Sequence, residues 1–267
     1  MLLKEGMSPR EIKNDGDIGQ DQFHEYISRK FYPCTPVSIR NEAVRLNGSV
    51  RCFQSRKDAQ VDLAIIGDSH AEPLFLGLAE ALPDMNVVYY FRTSLPFTSY
   101  REFEHIFSHV AGDERLRTVI LSAKWSGNGR TGLMVDRGKF SDELAATIDL
   151  LAAAQKTVYV TDDVPNFTFD PPKCKYERVF SGASACAESS RYFYHQYDTY
   201  YPILESVVRR SGQAKILHTV KYFCDDTLCT MGRNGMLLYR DRNHLNINGS
   251  KYLGQMIAKD HPDFPKQ

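Results

Sequence analysis

The sequence predicts an α/β protein with a mostly parallel, five-stranded sheet covered by helices on both faces, a three-layer α/β/α arrangement. Five short apolar segments rich in β-branched residues alternate with stretches of helical periodicity. Strands that alternate with helices are typical of parallel sheets, because each crossover returns the chain to the same end. The length of 267 residues fits one large α/β domain with an appended segment.

The predicted strands lie over residues 61–67, 86–91, 118–123, 157–163 and 214–220. The predicted helices lie over residues 71–82, 101–112, 141–155, 189–210 and 248–259. Ser141 or Asp142 is expected to cap the third helix. Residues 1–60 are polar, rich in turn formers and without a clear strand. They are predicted to be a linker and an extension to a catalytic domain that spans residues 61–267.

Six cysteines fall into three pairs of sequence neighbours: Cys34 with Cys52, Cys174 with Cys186, and Cys224 with Cys229. Local pairing is the simplest expectation, because each couple closes a short loop flanked by polar residues. A disulfide that closes a loop of ~15 residues stabilises a protein by roughly 3 kcal/mol. Six free thiols in a cytosolic protein stay an alternative, and zinc is a weaker one because no CxxC pair occurs.

Disulfides indicate an oxidising compartment, yet the first residues are charged where a signal peptide needs an apolar core. We therefore expect the chain to be a piece of a longer protein whose N-terminal part carries it across a membrane. The chain itself has no apolar stretch of ~18 residues that could form a transmembrane helix. Lys plus Arg and Asp plus Glu are both 33, and a neutral chain does not favour a nucleic-acid partner.

Ser69 is the candidate nucleophile, because it lies in Gly67-Asp68-Ser69-His70 where a predicted strand runs into a helix. A serine at such a turn has an exposed hydroxyl, and its amide can donate to a developing oxyanion. The alternative is a serine that only caps the helix. His70 lies on the wrong side of the turn to be the base and is expected to cap or pack.

His244 and Asp241 complete a candidate catalytic triad from the far end of the chain. A serine hydroxyl needs a general base, and the imidazole needs an acceptor that fixes its tautomer. Asp241 and His244 lie three positions apart just before the last predicted helix, so one loop can supply both groups. The combination of GDSH after a strand with a C-terminal DxxHL is much more specific than either motif alone.

These motifs resemble the SGNH (GDSL-like) hydrolase superfamily, most closely the SGNH domains fused to membrane acyltransferase-3 domains in bacterial carbohydrate O-acetyltransferases. The resemblance covers roughly residues 60–260, through VDLAIIGDSHAEPL, VILSAKWS, TDDVPNF, FCDDTLC and LLYRDRNHLNINGSKYL. It implies a flavodoxin-like fold, a triad of Ser69, His244 and Asp241, and a periplasmic domain of an inner-membrane protein. It also implies that the membrane domain delivers the acyl group, ultimately from acetyl-CoA, with no cofactor in this domain.

The expected oxyanion hole departs from the pattern that the resemblance implies. Related enzymes use a glycine amide after the second strand and an asparagine side chain after the third. Here the corresponding segments contain Ser94, the best candidate for a backbone donor, and Asn128, which is mis-spaced. Losing one oxyanion donor costs ~3 to 4 kcal/mol of transition-state stabilisation, so the hole is expected to be weak or completed by a partner.

Three further groups of residues have less specific interpretations. Trp125 follows a predicted strand and could stack on a sugar ring, although core packing is an equal alternative. Asp68 and Asp163 suggest a metal only weakly, because no third ligand accompanies them, and no metal is expected. Five tyrosines lie on several faces of one helix and are expected to pack in the structure: residues 192, 194, 197, 200 and 201.

Three functions fit these features. In the first, Ser69 accepts an acyl group, most simply acetyl, and passes it to a hydroxyl of a surface carbohydrate such as lipopolysaccharide O-antigen. The second is a carbohydrate acetylesterase with the same triad and water as the acceptor. The third is a non-catalytic carbohydrate-binding module, and the conjunction of Ser69, His244 and Asp241 argues against it.

Overall fold

The computed structural model describes residues 20–46, 49–57, 59–126, 136–176, 186–234 and 236–264. The helices are α1 (Gln20–Lys30), α2 (Val37–Asn41), α3 (Ala71–Ala81), α4 (Glu104–Gly112), α5 (Arg137–Ala153), α6 (Lys173–Tyr176), α7 (Ser190–Ser211) and α8 (Ile247–Asp260). The strands are β1 (Tyr32–Pro33), β2 (Arg45–Leu46), β3 (Ser49–Val50), β4 (Cys52–Gln54), β5 (Leu63–Gly67), β6 (Val87–Phe91), β7 (Thr118–Ser122), β8 (Thr157–Thr161), β9 (Ala187–Ser189), β10 (Ala214–Leu217), β11 (Leu228–Thr230), β12 (Gly232–Arg233) and β13 (Met236–Leu237).

The central sheet has the strand order β1-β4-β6-β5-β7-β8-β10. Five neighbouring strands of this sheet are parallel to one another: β6, β5, β7, β8 and β10. This confirms the predicted α/β fold and its five parallel strands. Two antiparallel strands, β4 and β1, extend the sheet beyond β6. The expectation of no strand before residue 60 is therefore wrong, because two- and three-residue strands are too short to show an alternating pattern.

The strand order places β5 at the point where the chain changes direction across the sheet. After β5 the chain forms β6 on one side and then crosses to β7 on the other. In open parallel sheets such a switch point leaves a crevice beyond the carboxyl ends of the strands, where sites form. The residues that follow Gly67 thus enter the natural site of this fold.

Several element boundaries differ from those expected. The helix assigned to Ser141 or Asp142 as its cap begins earlier, because the Asp136 side chain accepts a hydrogen bond from the Lys139 amide at 2.9 Å. The strand expected to reach residue 163 ends at Thr161. A short 3-10 helix over Arg101–Phe103 precedes α4, where one continuous helix was expected.

Helices α3 and α8 cross in backbone contact at two glycines. A Cβ atom on Gly254 would lie 2.0 Å from the carbonyl oxygen of Gly77, and one on Gly77 would lie 2.1 Å from that of Ser250. Neither helix has room for a side chain at this crossing. Since α3 follows the Ser69 turn and α8 follows the His244 loop, the crossing fixes the two halves of the candidate site against each other.

The N-terminal extension, here the described residues from 20 to 60, contributes to the hydrophobic core and to the sheet. Phe23 and Ile27 of α1 are 0% and 1% exposed and belong to the hydrophobic core. All three predicted disulfides are present, and Cys34–Cys52 links the segment after α1 to β4. Within the described ranges no helix combines the length and the hydrophobicity needed to cross a membrane.

Candidate active site

Ser69 lies in the short turn between β5, which ends at Gly67, and α3, which begins at Ala71. A Cβ atom on Gly67 would lie 1.7 Å from the carbonyl oxygen of Ser122 on the neighbouring strand, so only glycine fits there. This close approach lets the chain turn sharply at the carboxyl end of β5. The turn leaves the half-buried Ser69 beyond the carboxyl ends of the parallel strands.

Asp68 holds the turn in shape from the inside. Its buried carboxylate accepts hydrogen bonds from the backbone amides of His70 at 2.8 Å and Lys124 at 3.0 Å. Burial raises the pKa of Asp68 above its usual value, although His70 and the two amides oppose that shift. Because Lys124 follows β7, Asp68 ties the turn to the end of the adjacent strand.

The structure brings Ser69, His244 and Asp241 together in one chain of hydrogen bonds. The Nε2 atom of His244 lies 2.8 Å from the Ser69 hydroxyl oxygen, and its Nδ1 atom lies 2.8 Å from Oδ2 of Asp241. This is the geometry in which a histidine can take a proton from serine while a carboxylate holds its tautomer. The residues are 175 positions apart at the serine–histidine contact, so the arrangement depends on the fold.

The loop that carries Asp241 and His244 is held by its own backbone. The Oδ1 atom of Asp241 accepts the amides of Asn243 at 2.9 Å and His244 at 2.7 Å. The Arg240 amide donates to the carbonyl oxygen of His244 at 2.9 Å. Asn246 then caps α8 by accepting the Gly249 amide at 2.9 Å. The carboxylate is therefore fixed before any substrate binds.

The two titrating members of this chain have pKa values shifted in the same direction. Burial lowers the pKa of His244 to about 4, and His70 and Arg240 add to this effect while Asp241 opposes it. For Asp241, burial raises the pKa, but the hydrogen bond and charge of His244 outweigh it and hold the pKa well below its usual range. At neutral pH the site therefore contains an unprotonated imidazole, as a general base requires.

A buried ionic cluster lies behind the loop and was not predicted. The Glu72 carboxylate lies 2.7 Å from Nη2 of Arg51, 3.2 Å from Nε2 of His24 and 3.8 Å from Nη2 of Arg240. Burial alone would raise the pKa of Glu72, but the hydrogen bond from His24 and the charges of both arginines lower it. Glu72 follows the nucleophile turn and Arg240 precedes Asp241, so the cluster joins both parts of the site to the N-terminal extension.

His70 pairs with Asp163 and does not cap α3 through its side chain, although capping was one of its expected roles. It does pack, because its ring lies edge-on to that of His244. Asp68 and Asp163, the weak metal candidates, are engaged with backbone amides and with His70. Among the described residues no group of three or more His, Cys, Asp or Glu side chains is arranged to hold a metal.

The candidate oxyanion donors are only partly defined. Within the described part of the chain the backbone amide of Ser69 has no hydrogen-bond partner, so its N–H is available to donate to an oxyanion. The structure does not test Ser94 as a backbone donor, so its role stays a prediction. Asn128 lies outside the described residues.

Of the two alternatives for Trp125, core packing is confirmed and stacking on a sugar ring is wrong. Its side chain is 0% exposed, and its indole Nε1–H donates to the carbonyl oxygen of Thr161 at 2.7 Å. The ring packs edge-on against Phe140 of α5, with the ring centroids 6.1 Å apart. Trp125 therefore fills the space between the sheet and α5 and presents no face to solvent.

The tyrosines of α7 follow the packing expectation at Tyr197 and Tyr200, which are 9% and 1% exposed.

A profile of the family described as the SGNH domain fused to AT3 domains matches residues 36–259 of this chain. Solved structures share the fold. The periplasmic domain of a lipopolysaccharide acetyltransferase from Salmonella ser. Paratyphi A is similar with a TM-score of 0.58 and 16% identity, over 75% of this chain and 84% of that one.

A carbohydrate esterase of family 3 from Talaromyces cellulolyticus gives a TM-score of 0.45 and 11% identity, over 78% of this chain and 99% of that one. No protein with a curated description matches the sequence significantly. The family match and the similarity to the Salmonella domain agree with the observed α/β fold.

Proposed function

We propose that this chain, which belongs to the family of SGNH domains fused to AT3 domains, is a serine-dependent O-acyltransferase domain that acetylates a bacterial surface carbohydrate. The observation that carries the proposal is the continuous hydrogen-bond chain from the Ser69 hydroxyl through His244 to Asp241. A binding module has no need of this arrangement, whereas acyl transfer through a serine ester requires it.

The proposed reaction has two halves with one base. In the first half, His244 Nε2 takes the proton of Ser69 as the hydroxyl oxygen attacks the acetyl carbonyl, and the proton then passes to the departing donor group. In the second half, His244 deprotonates a carbohydrate hydroxyl, which attacks the acetyl-serine ester. The ester bond to Ser69 breaks, and the serine oxygen recovers the proton from His244. Asp241 keeps the imidazole in the required tautomer throughout.

The membrane fusion that characterises the family supports transfer over hydrolysis. In this proposal the AT3 domain of the full-length protein delivers the acetyl group, ultimately from acetyl-CoA, and the domain binds no resident cofactor. The three disulfides are consistent with the periplasmic side of the inner membrane, where thiols are oxidised. Lipopolysaccharide O-antigen is the acceptor we propose for the test.

The test separates transfer from hydrolysis by letting the carbohydrate hydroxyl and water compete for the acetyl group in one reaction. The purified domain is incubated with p-nitrophenyl acetate and a de-O-acetylated O-antigen oligosaccharide. Nitrophenolate release reports attack by Ser69, and mass spectrometry of the sugar reports transfer. We expect an acetylated oligosaccharide and a loss of at least about a thousand-fold in both signals for Ser69→Ala and His244→Ala.

Ser28→Ala is the matched control, because Ser28 is an exposed serine of α1 whose hydroxyl donates to the carbonyl oxygen of Glu25 at 3.0 Å. It should leave both signals unchanged. Nitrophenolate release with free acetate and no acetylated sugar at high acceptor concentration would identify an esterase. No Ser69-dependent turnover of a folded domain would contradict the triad itself.

A further inference from the structure

A second histidine–carboxylate pair lies directly against the first. The Nδ1 atom of His70 lies 2.6 Å from Oδ1 of Asp163, and the two side chains are 1% and 2% exposed. The same carboxylate oxygen accepts the Val164 amide at 2.7 Å, and the carbonyl oxygen of Asp163 accepts the Thr219 hydroxyl. Asp163 therefore has several contacts that fix its carboxylate against His70.

The backbone at Asp163 is also held in an uncommon conformation. Its φ angle is 75°, in the left-handed region that residues other than glycine rarely adopt. Such conformations persist where surrounding contacts impose them, and they are concentrated at functional sites. Here the conformation follows the end of β8 and turns the Asp163 side chain toward the nucleophile turn.

The pair touches the proposed base and has no task in the proposed reaction. The ring centroids of His70 and His244 are 4.9 Å apart, and the rings meet edge to face at 62°. Among the described residues the Nε2 atom of His70 has no hydrogen-bond partner, although it is buried. Polar atoms in protein interiors are almost always paired, so a buried histidine held in this way needs an explanation.

The surroundings of His70 favour its protonated form. Burial lowers the pKa of His70, but the charge and hydrogen bond of Asp163 and the charge of Asp68 outweigh burial and raise it, with Lys124 opposing them. The carboxylates around His70 therefore favour a positive charge on its ring, next to the ring of His244. The charges of Asp241 and Arg240, both from its own loop, also act on His244 in opposite directions.

Building on the proposed function, we propose that His70 and Asp163 are positioning residues. As an imidazolium–carboxylate pair they hold the ring of His244 in the triad and keep it unprotonated. A cation near a histidine disfavours a second positive charge, and the ring of His70 lies 4.9 Å from the ring of His244. The pair thus keeps the base ready for the Ser69 proton under mildly acidic conditions.

The test is an NMR titration of the His244 ring in the ¹⁵N-histidine-labelled domain, which needs no donor or acceptor. In the wild type His70 should carry protons on both ring nitrogens at pH 7. His70→Gln removes the neighbouring cation, so the midpoint of His244 should rise by about one pH unit. The acid limb of fluorophosphonate labelling at Ser69 should move by the same amount, which a purely structural role would not produce.

The Asp163→Asn variant shows whether His70 is charged, through the direction in which the titration midpoint of His244 moves. If His70 is an imidazolium in the wild type, removing its carboxylate neutralises it, and the midpoint of His244 rises. If His70 is neutral, the same substitution only removes a negative charge, the midpoint falls, and the proposal is overturned. No shift in either variant would also overturn it. Asp163→Asn keeps the test valid if His70→Gln does not fold.

His105→Gln is the matched control, because His105 and Glu42 form a pair 2.7 Å apart whose side chains are 65% and 45% exposed. That exposed pair should leave the titration of His244 unchanged. The titration also separates this inference from the proposed function. A chain that shows both upward shifts but acetylates no sugar would overturn the proposed acyl transfer and leave the role of His70 and Asp163 intact.

Discussion

Arg51 and Glu72 form a buried ion pair that connects the N-terminal extension to the helix after the nucleophile. Nη2 of Arg51 lies 2.7 Å from Oε2 of Glu72, and the side chains are 3% and 0% exposed. Arg240, which precedes Asp241, lies 3.8 Å from the same oxygen. One carboxylate is thus shared by a residue from the extension and a residue from the triad loop, so the extension supports the site as well as extending the sheet.

The ion pair predicts a large loss of stability for Arg51→Met. The substitution leaves Glu72 buried without its nearest cation, and breaking one side of a buried pair costs about 3–5 kcal/mol. Urea unfolding at pH 7 measures this loss. Arg29→Met is the control, since the Arg29–Glu25 pair has side chains 78% and 53% exposed and should contribute less than about 1 kcal/mol. Equal losses in the two variants would contradict a supporting role for the cluster.

The pKa of His244 predicts the acid limb of the reaction at Ser69. His244 must be unprotonated to take the serine proton, so reactivity is lost as pH falls through its pKa of about 4. The rate of fluorophosphonate labelling should therefore rise about ten-fold per pH unit below pH 4 and stay level from about pH 5 to 8. Peptide mass spectrometry assigns the adduct to Ser69.

The unperturbed value for histidine gives the opposing expectation. A midpoint near the ordinary histidine pKa of about 6.5 would mean that burial does not keep His244 neutral. His244→Ala should abolish labelling at every pH, because the hydroxyl of Ser69 then has no base. Labelling that persists in that variant would exclude His244 as the activating group.

The disulfides predict unequal losses of stability when they are removed one at a time. Cys34 and Cys52 are 18 positions apart, and Cys224 and Cys229 are 5 apart. The chain-entropy model gives about 3 kcal/mol for the longer loop and about 2 kcal/mol for the shorter one. Replacing both cysteines of each pair by serine and comparing urea midpoints checks this order. A larger loss at the shorter loop would show that contacts and not loop closure dominate.

The sheet and the proximity of Ser69, His244 and Asp241 could be predicted because both leave local patterns. Runs such as residues 61–67 are apolar and β-branched, and GDSH and DxxHL place a serine, an aspartate and a histidine at element ends. The burial of Trp125 left no such pattern, since a residue just after a strand can lie on either side of the sheet. The hydrogen bond from Trp125 to Thr161 depends on how β8 lies beside the end of β7, and the sequence alone does not determine that register.

The supporting residues could not be predicted for a similar physical reason. Arg51, Glu72 and Arg240 are each unremarkable charged residues, and only the packing of the N-terminal extension brings them together. His70 and Asp163 are 93 positions apart, and nothing in either segment indicates the other. Long-range polar contacts carry no periodicity, so they became visible only when the fold placed their segments side by side.

The crossing of α3 and α8 predicts that Gly254→Ala disturbs the site from a distance. The added Cβ would lie 2.0 Å from the carbonyl oxygen of Gly77, which is backbone and cannot swing aside. Overpacking of this kind costs about 1–3 kcal/mol or more, and any shift of α8 moves the His244 loop that precedes it. We expect a lower urea midpoint together with slower labelling of Ser69.

Gly112→Ala is the control for this prediction, because a Cβ there meets nothing within 4 Å, and it should be neutral or stabilise the helix end. A Gly254→Ala protein with both wild-type stability and wild-type labelling would show that the helices can separate without moving the triad.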